Sequence, residues 1–239
     1  QTLRLYDWEV PSVSLGSFQK ISDIDLPYCE RSNIPVVRRP TGGRGILHGD
    51  ELTYSFSAKN EGHFSNGLLK TYRKLSVAFY DALQNMGLPV TIKMEREAGR
   101  NLTRSPLCFK STSYGELSFN GKKIIGSAQK RWPDGFLQQG SIPYSIDYGK
   151  ISMVFKNESK GISGLKELLP DFDHEMFKKR VKSAFEELFD ITLAVSYPSP
   201  REEELARFLS SEKHLKQDWI EGLSKHASFY NKNEIPKRA

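Results

Sequence analysis

The chain has no run of about 18 apolar residues, so nothing in it reads as a membrane-crossing helix. Its first residues, QTLRLYDWEV, lack the basic-then-apolar order of a secretory signal, and a cytoplasmic location is expected. Cysteine is almost absent. Cys29 and Cys108 are the only two, too few for a disulfide framework and without the CxxC or histidine spacing that zinc sites use. Any chemistry at a cysteine would be thiol chemistry. No helix-turn-helix, zinc finger or aromatic-basic ribonucleoprotein motif stands out, and there is no internal repeat or low-complexity linker.

What remains has the balance of a folding domain. The chain of 239 residues is 38% hydrophobic, 27% charged and 11% aromatic, enough to bury a substantial core. The formal net charge of +6 suits nucleic acid, an acidic protein or an anionic ligand equally. The lysines are scattered, so charge alone does not select nucleic acid.

The periodicity predicts an order of elements. Residues 3–18 are rich in β-formers broken by Pro11 and Gly16, and read as two short strands joined by a turn. Val36 and Val37, then 52–57, read as strands around a glycine loop. Over 65–86, Leu68, Leu69, Tyr72, Leu75, Phe79, Leu83 and Met86 recur at three and four residues, which predicts an amphipathic helix stopped by Gly87 and Pro89. Strands are expected at 90–94, 116–119, 123–129 and 135–145, with Asn120-Gly121 as a hairpin turn. A second amphipathic helix over 173–189 is expected to bury Met176, Phe177, Val181, Ala184, Phe185 and Leu188. Ser199-Pro200 followed by three glutamates predicts a helix start, with a helix at 201–209 and a short one around Asp218. Strands with helices interspersed and a clear hairpin make the class α+β.

Three segments could carry chemistry. In VVRRPTGGRGILHGDELTYSF, Arg38, Arg39, Gly42, Gly43 and Arg44 form a possible cradle, because glycines let backbone amides approach a ligand and arginines bring charge. The spacing is neither GxxxxGK[ST] nor GxGxxG, and a tight turn with solvated arginines fits equally. His48 follows closely; a lone histidine is more often structural than catalytic. In GKKIIGSAQKR, Lys123 could hold a carbonyl by charge-assisted bonding, although taken alone it reads as a solvated strand-edge lysine. Cys108 lies in loop composition between Arg104 and Lys110, where positive charge would stabilise a thiolate. Cys29, beside Glu30, reads as structural.

Together these segments resemble the lipoate/octanoate-protein ligases and transferases of the biotin/lipoyl ligase fold. The match is RRPTGGRGILH with ELTYSF behind it, then KIIGSAQKR, then LQQGSIPYSID, with LRLYDWEVPSVSLGSFQ near the start and SEKHLKQDWI near the end. The resemblance implies a central mixed β-sheet flanked by helices, in a single catalytic domain over 1–239 with a short helical extension at about 199–239. It also implies an acyl tunnel lined by the arginine-glycine loop and the lysine strand. On it rest the substrate-binding assignments of Arg38, Arg39, Gly42, Gly43, His48, Gly126, Ser127, Ala128, Gln139 and Gly140. Pro106-Leu107-Cys108-Phe109 is similar to the nucleophile loop of the cysteine-dependent octanoyltransferase branch. The family commonly has LQHGSI, and here Gln139 replaces that histidine.

The resemblance therefore implies an octanoyltransferase with Cys108 as nucleophile and Lys123 as carbonyl-positioning group. Octanoyl-acyl carrier protein would be the donor. A lysine on a lipoyl domain, such as glycine cleavage H protein or a 2-oxoacid dehydrogenase E2 subunit, would be the acceptor. No cofactor, metal or ATP is expected, because a thioester is already activated. The alternatives are an ATP-dependent lipoate ligase, an octanoyl amidotransferase between lipoyl proteins, and a non-enzymatic acyl- or nucleic-acid-binding protein.

Overall fold

The computed structural model describes residues 1–93, 115–156 and 161–223. Its organising strand is β5 (Glu51–Lys59), whose alternation puts Leu52, Tyr54 and Phe56 on one face and Glu51, Thr53, Ser55 and Ser57 on the other. β1 (Thr2–Tyr6) pairs antiparallel along one edge of β5. β10 (Gly135–Pro143) pairs antiparallel along the other edge, and β9 (Gly126–Arg131) lies beyond it, giving the order β1-β5-β10-β9.

The apolar face of this sheet is covered by α2 (Gly67–Gln84) and α5 (His174–Phe189). Phe56 sits at the centre, with ring centroids 5.3 Å from Phe64, 5.6 Å from Phe185, 6.0 Å from Phe136 and 6.1 Å from Phe189. Truncating a buried aromatic of this kind costs about 3–5 kcal/mol. α5 starts and α2 ends as the sequence suggests, while α2 begins at Gly67 with no side-chain capping bond from Asn66. Asp173 caps α5 by accepting from the Glu175 and Met176 amides, and Gly87 takes a positive φ of 82° just beyond α2.

A second layer is a three-stranded sheet of order β3-β2-β4, built from β2 (Ser12–Leu15), β3 (Val36–Arg38) and β4 (Ile46–His48). β2 runs parallel to β3 and antiparallel to β4. Val13 and Leu15 pack with Ile24, Cys29, Ile151, Val154 and Phe155 into a smaller core under α1 (Leu26–Arg31) and α3 (Tyr148–Phe155). A third small sheet joins β6 (Thr91–Ile92), β7 (Leu117–Phe119) and β8 (Lys122–Lys123). Asn120 and Gly121 turn between β7 and β8 with φ of 48° and 74°, the two positive values that a type I′ hairpin requires. α4 (Leu165–Leu168) leads towards α5. After α5 come α6 (Pro200–Leu209), with a Ser199–Glu202 capping box, a π-helical turn (Ser210–His214) and α7 (Gln217–Glu221).

The α+β architecture matches expectation, with the mixed pairing confined to the small β3-β2-β4 sheet and the four-stranded sheet wholly antiparallel. Four details differ. The two amino-terminal strands do not pair with each other but enter separate sheets. The strand expected over 123–129 splits into β8 and β9, because the consecutive residues Ile124 and Ile125 are both buried, which a continuous pleat with one open face does not allow. Met176 is 40% exposed rather than buried, lying one residue off the Phe177, Val181, Ala184 stripe. Strand β4 and helices α1, α3 and α4 were not anticipated. α1 carries an Asp25 cap and a proline in its first turn, and α3 an Asp147 cap, signals masked by the short length of each helix.

Candidate active site

The described candidate residues lie on the four-stranded sheet and on the β3-β2-β4 sheet, which Ser14, His48 and Glu51 link, with Lys123 on β8 of the third sheet. Along β9, Gly126, Ala128 and Lys130 share one face, paired with Ser141, Gln139 and Leu137 of β10, and the polar stripe of β5 continues this face. It is the face turned away from α2 and α5. Ser127 and Gly140, expected to line the substrate, alternate to the opposite side. Ser127 Oγ is 2.7 Å from the Tyr54 hydroxyl, and a Cβ at Gly140 would come within 2.5 Å of the Tyr54 ring. There they pack against Tyr54, together with Gln138, whose amide donates to the Tyr54 hydroxyl at 3.0 Å and accepts from Gln129 at 2.9 Å. Burial pushes Tyr54 up to about 12, so it keeps its proton in this cluster.

The arginine-glycine loop is built inward. Arg38 and Arg39 are 2% and 6% exposed, not solvated. Arg38 spreads its guanidinium over four backbone carbonyls. Nη1 donates to Gly16 O at 2.6 Å and Gln19 O at 2.7 Å, Nε to Trp219 O at 2.9 Å, and Nη2 to Ile220 O at 2.8 Å. In return Trp219 Nε1 donates to Arg38 O at 2.9 Å, so α7 is clasped to β3. Burial lowers the Arg38 pKa from its usual value. Arg39 donates to Ser14 O at 2.8 Å, Ser14 Oγ at 3.1 Å, Gly42 O at 3.0 Å and Arg44 O at 2.6 Å, and so shapes the loop from beneath. Gly43 takes φ of 87°, and a Cβ on Gly16 would lie 1.9 Å from Gly43 O, so glycine is required on both sides of that contact. A Cβ on Gly42 would meet no described atom within 4 Å.

His48 is buried and structural in its bonding. Its Nε2 is 2.7 Å from Ser14 Oγ, its Nδ1 is 2.8 Å from Glu51 Oε1, and the Trp8 ring stacks on it at 4.1 Å. Glu51 also accepts from Thr53 Oγ1 at 2.5 Å and from Ser141 Oγ at 2.8 Å. A cavity of about 190 Å³ opens beside this network, with Leu47, His48, Glu51, Ser141, Ile151 and Ile162 in its wall.

Lys123 is 2% exposed, which corrects the reading as a strand-edge lysine. Its Nζ lies 2.5 Å from Glu116 Oε1, and its backbone bridges Ile162, one of the cavity residues. Cys29 is fully buried, and burial pushes its thiol up, as suits an inert core residue. Cys108 lies outside the described residues. Among the described residues no His, Cys, Asp and Glu cluster could hold a metal ion, and no helix is long and apolar enough to cross a membrane.

Sequence reasoning passed over Glu51, Glu116, Ser14, Trp8 and Trp219. A signal existed for Glu51: the alternation of ELTYSFS places an acid on the face opposite Leu52, Tyr54 and Phe56. Ser14 could have been found the same way in SVSL, facing opposite Val13 and Leu15. Glu116 meets Lys123 across the β7–β8 hairpin, seven residues away, and Trp219 is joined to Arg38 by contacts 181 residues apart in sequence.

The family model described as the lipoyl protein ligase A/B catalytic domain matches residues 1–186. A protein named octanoyltransferase LipM from Carboxydothermus hydrogenoformans is 35% identical, with 91% of this chain and 86% of the relative covered. One of the same name from Halalkalibacterium halodurans is 32% identical with the same coverage. A third, from Exiguobacterium sp., is 42% identical over 61% of this chain and 55% of its own length. Among solved structures, lipoate-protein ligase A bound with ATP superposes with a TM-score of 0.78 at 24% identity, covering 93% of this chain and 86% of that one. The bi-partite lipoate protein ligase of Thermoplasma acidophilum gives 0.76 at 21%, covering 93% and 84%. At those identities the structural likeness speaks for the fold alone.

Proposed function

Because the chain belongs to the lipoyl protein ligase A/B catalytic domain family, we propose that it is an octanoyltransferase of protein lipoylation, working through a cysteine acyl-enzyme. The observation that carries this reading is the 35% identity over 91% of the chain to a relative named octanoyltransferase LipM. It is supported by Cys108 in the sequence Pro106-Leu107-Cys108-Phe109.

The Cys108 thiolate attacks the thioester carbonyl of octanoyl-acyl carrier protein. A tetrahedral intermediate forms, the carrier thiol leaves, and the octanoyl group remains on Cys108 as a new thioester. The ε-amine of a lysine on a lipoyl domain then attacks that carbonyl, an amide forms, the amine loses its proton, and the Cys108 thiol is restored. The thioester supplies the activation in both steps. Lys123, held at the strand end by Glu116, would bond to the carbonyl oxygen as negative charge develops on it. The face made by Gly126, Ala128, Gln139 and Ser55 is floored with small side chains and one amide, and would take the aliphatic chain, with the Gly42 backbone closing over it. A net charge of +6 suits acidic carrier proteins and lipoyl domains, with encounter rates that fall as salt rises.

The test is intact-protein mass spectrometry after incubation with octanoyl-acyl carrier protein without ATP, comparing wild type with Cys108→Ala. An octanoyl-sized mass gain lost in the variant is expected. No adduct in wild type, with modification of a lipoyl domain supported instead by free acid plus ATP, would replace this reading with the ligase reaction.

A further inference from the structure

Ser14, His48 and Glu51 stand in the connectivity of a hydrolase charge relay, with hydroxyl to Nε2 at 2.7 Å and Nδ1 to carboxylate at 2.8 Å. Ser14 is not placed to act as a nucleophile. Its side chain is 4% exposed, it is absent from the cavity wall, and its Oγ already accepts from Arg39. The arrangement therefore needs a different account.

For an uncharged imidazole the hydrogen bonds run in one consistent direction. Trp8 Nε1–H donates to Thr53 Oγ1 at 2.8 Å, and Thr53 Oγ1–H donates to Glu51 Oε1. His48 Nδ1–H donates to the same oxygen, leaving Nε2 to accept from Ser14 Oγ–H, while Ser14 Oγ accepts from Arg39. Ser141 Oγ–H donates to the other carboxylate oxygen. Glu51 thus takes three donors, two from the large sheet (Thr53 and Ser141) and one from the small sheet (His48). The chain reaches Arg39, which also donates to the carbonyls of Ser14, Gly42 and Arg44. A carboxylate 4% exposed is costly to bury. Here it is the shared acceptor of Thr53, Ser141 and His48, and sets the direction of the side-chain bonds from β10 through Ser14 to Arg39.

We propose that Glu51 is a positioning residue for acyl transfer. It holds His48 as the Nδ1–H tautomer and, through Ser14 and Arg39, sets the conformation of the turn at Gly42 and Gly43. The inference rests on the proposed reaction only for its activity readout. What Glu51 supplies is acceptor geometry, so Glu51→Gln should substitute for it. The amide oxygen would face His48 and Thr53, and the amide nitrogen would donate to Ser141 Oγ, which can turn to accept. Glu51→Leu removes the acceptor and leaves Nδ1–H without a partner.

The experiment has two readouts. Long-range ¹H–¹⁵N correlation spectra of the free protein report the His48 tautomer, assigned by the signal missing in His48→Gln. Single-turnover octanoyl transfer gives the rate. The expected result is Nδ1–H in wild type and Glu51→Gln with transfer within a few-fold. Glu51→Leu should show the Nε2–H form, with transfer slowed by up to about 10²-fold, the scale of a misplaced reacting group. Ser14→Ala, which leaves the carboxylate in the core, should keep the Nδ1–H tautomer and also slow transfer. An Nε2–H ring in wild type overturns the proposal. So does equal loss in Glu51→Gln and Glu51→Leu, or full transfer by both Ser14→Ala and Glu51→Leu. A wild type that shows the Nδ1–H ring but transfers no octanoyl group would refute the proposed reaction and leave the assigned geometry standing.

Discussion

Arg38→Lys separates two roles for the first loop arginine. If Arg38 served to bind substrate, a lysine would retain the charge, and the loss would appear in KM with folding intact. The structure gives another expectation. The guanidinium is 2% exposed and bonds to Gly16 and Gln19 in one segment and to Trp219 and Ile220 in another. A lysine ammonium has three donors on a flexible stem and cannot reproduce a planar fork that reaches both segments. At least one buried carbonyl is left bare, at about 1–3 kcal/mol each, and the remaining bonds lose geometry. The sum is about 3 kcal/mol, which with an ordinary urea dependence moves the unfolding midpoint by about 1 M. The measurements are urea unfolding and amide hydrogen exchange over 217–223, where faster exchange is expected because α7 loses its clasp. Unfolding within about 0.5 kcal/mol of wild type and unchanged exchange, alongside a raised KM, would refute the structural role.

Lys123→Met should destabilise by about 3–5 kcal/mol, because Glu116 is left buried without its cation. Lys123→Met with Glu116→Leu should recover most of that stability in a denaturation cycle but none of the transfer activity. Gly42→Ala should fold with wild-type stability, since the new methyl meets no described atom, and should slow octanoyl transfer if that space belongs to the acyl group; unchanged kinetics would remove Gly42 from the site. Thr41→Val should be neutral or stabilising by up to about 1 kcal/mol, since the Thr41 hydroxyl is buried with no partner among the described residues; a clear loss of stability would show a missing bond. Burial, and then the neighbouring Lys213, depress the His214 pKa below its usual value of 6.5. The unfolded chain therefore takes up the proton first as pH falls below about 6.5, so this residue's contribution is present at neutral pH and lost on acidification. The thermal midpoint of His214→Gln should fall less than that of wild type between pH 7 and pH 5, and parallel curves would contradict the shift.

What was legible in the sequence was whatever local chemistry determines. The 3.6-residue stripe of Leu75, Phe79 and Leu83 and the Asn120-Gly121 turn needed no distant partner to be read. The Ser199–Glu202 box was equally local. The partners of Arg38 are not local, and Arg39 joins the nearby carbonyls of Gly42 and Arg44 to Ser14, 25 residues back. Arg38 reaches carbonyls 181 and 182 residues away, and no spacing rule announces acceptors that are backbone oxygens. Lys123 looked solvated because the residue that neutralises it, Glu116, lies across a hairpin whose register is fixed only once Asn120-Gly121 has turned. Ser127 and Gly140 were grouped with their neighbours because a motif is read as a block. A strand sends alternate members of the block to opposite faces.

The charge balance of the assembled site bears on which acyl donor it suits. The loop's basic character invites an anion, yet Arg38 is consumed by carbonyls, and Arg39 is linked through Ser14 and His48 to the buried carboxylate of Glu51. Lys123 is matched by Glu116. Each of these cations is therefore already answered, by a carboxylate or by a set of peptide dipoles. A free fatty carboxylate or an acyl-phosphate entering here would add a charge that a low-dielectric site penalises by several kcal/mol. An octanoyl thioester is uncharged at the reacting carbon and becomes anionic only in the tetrahedral intermediate. Interactions that strengthen only at that stage lower the barrier rather than the energy of the bound substrate. In the proposed reaction Lys123 would shift part of its bonding from Glu116 to the developing oxyanion without any net charge having been buried beforehand. Among the described residues, the pairing of Arg38, Arg39 and Lys123 thus supports the proposed neutral, activated donor over a free acid.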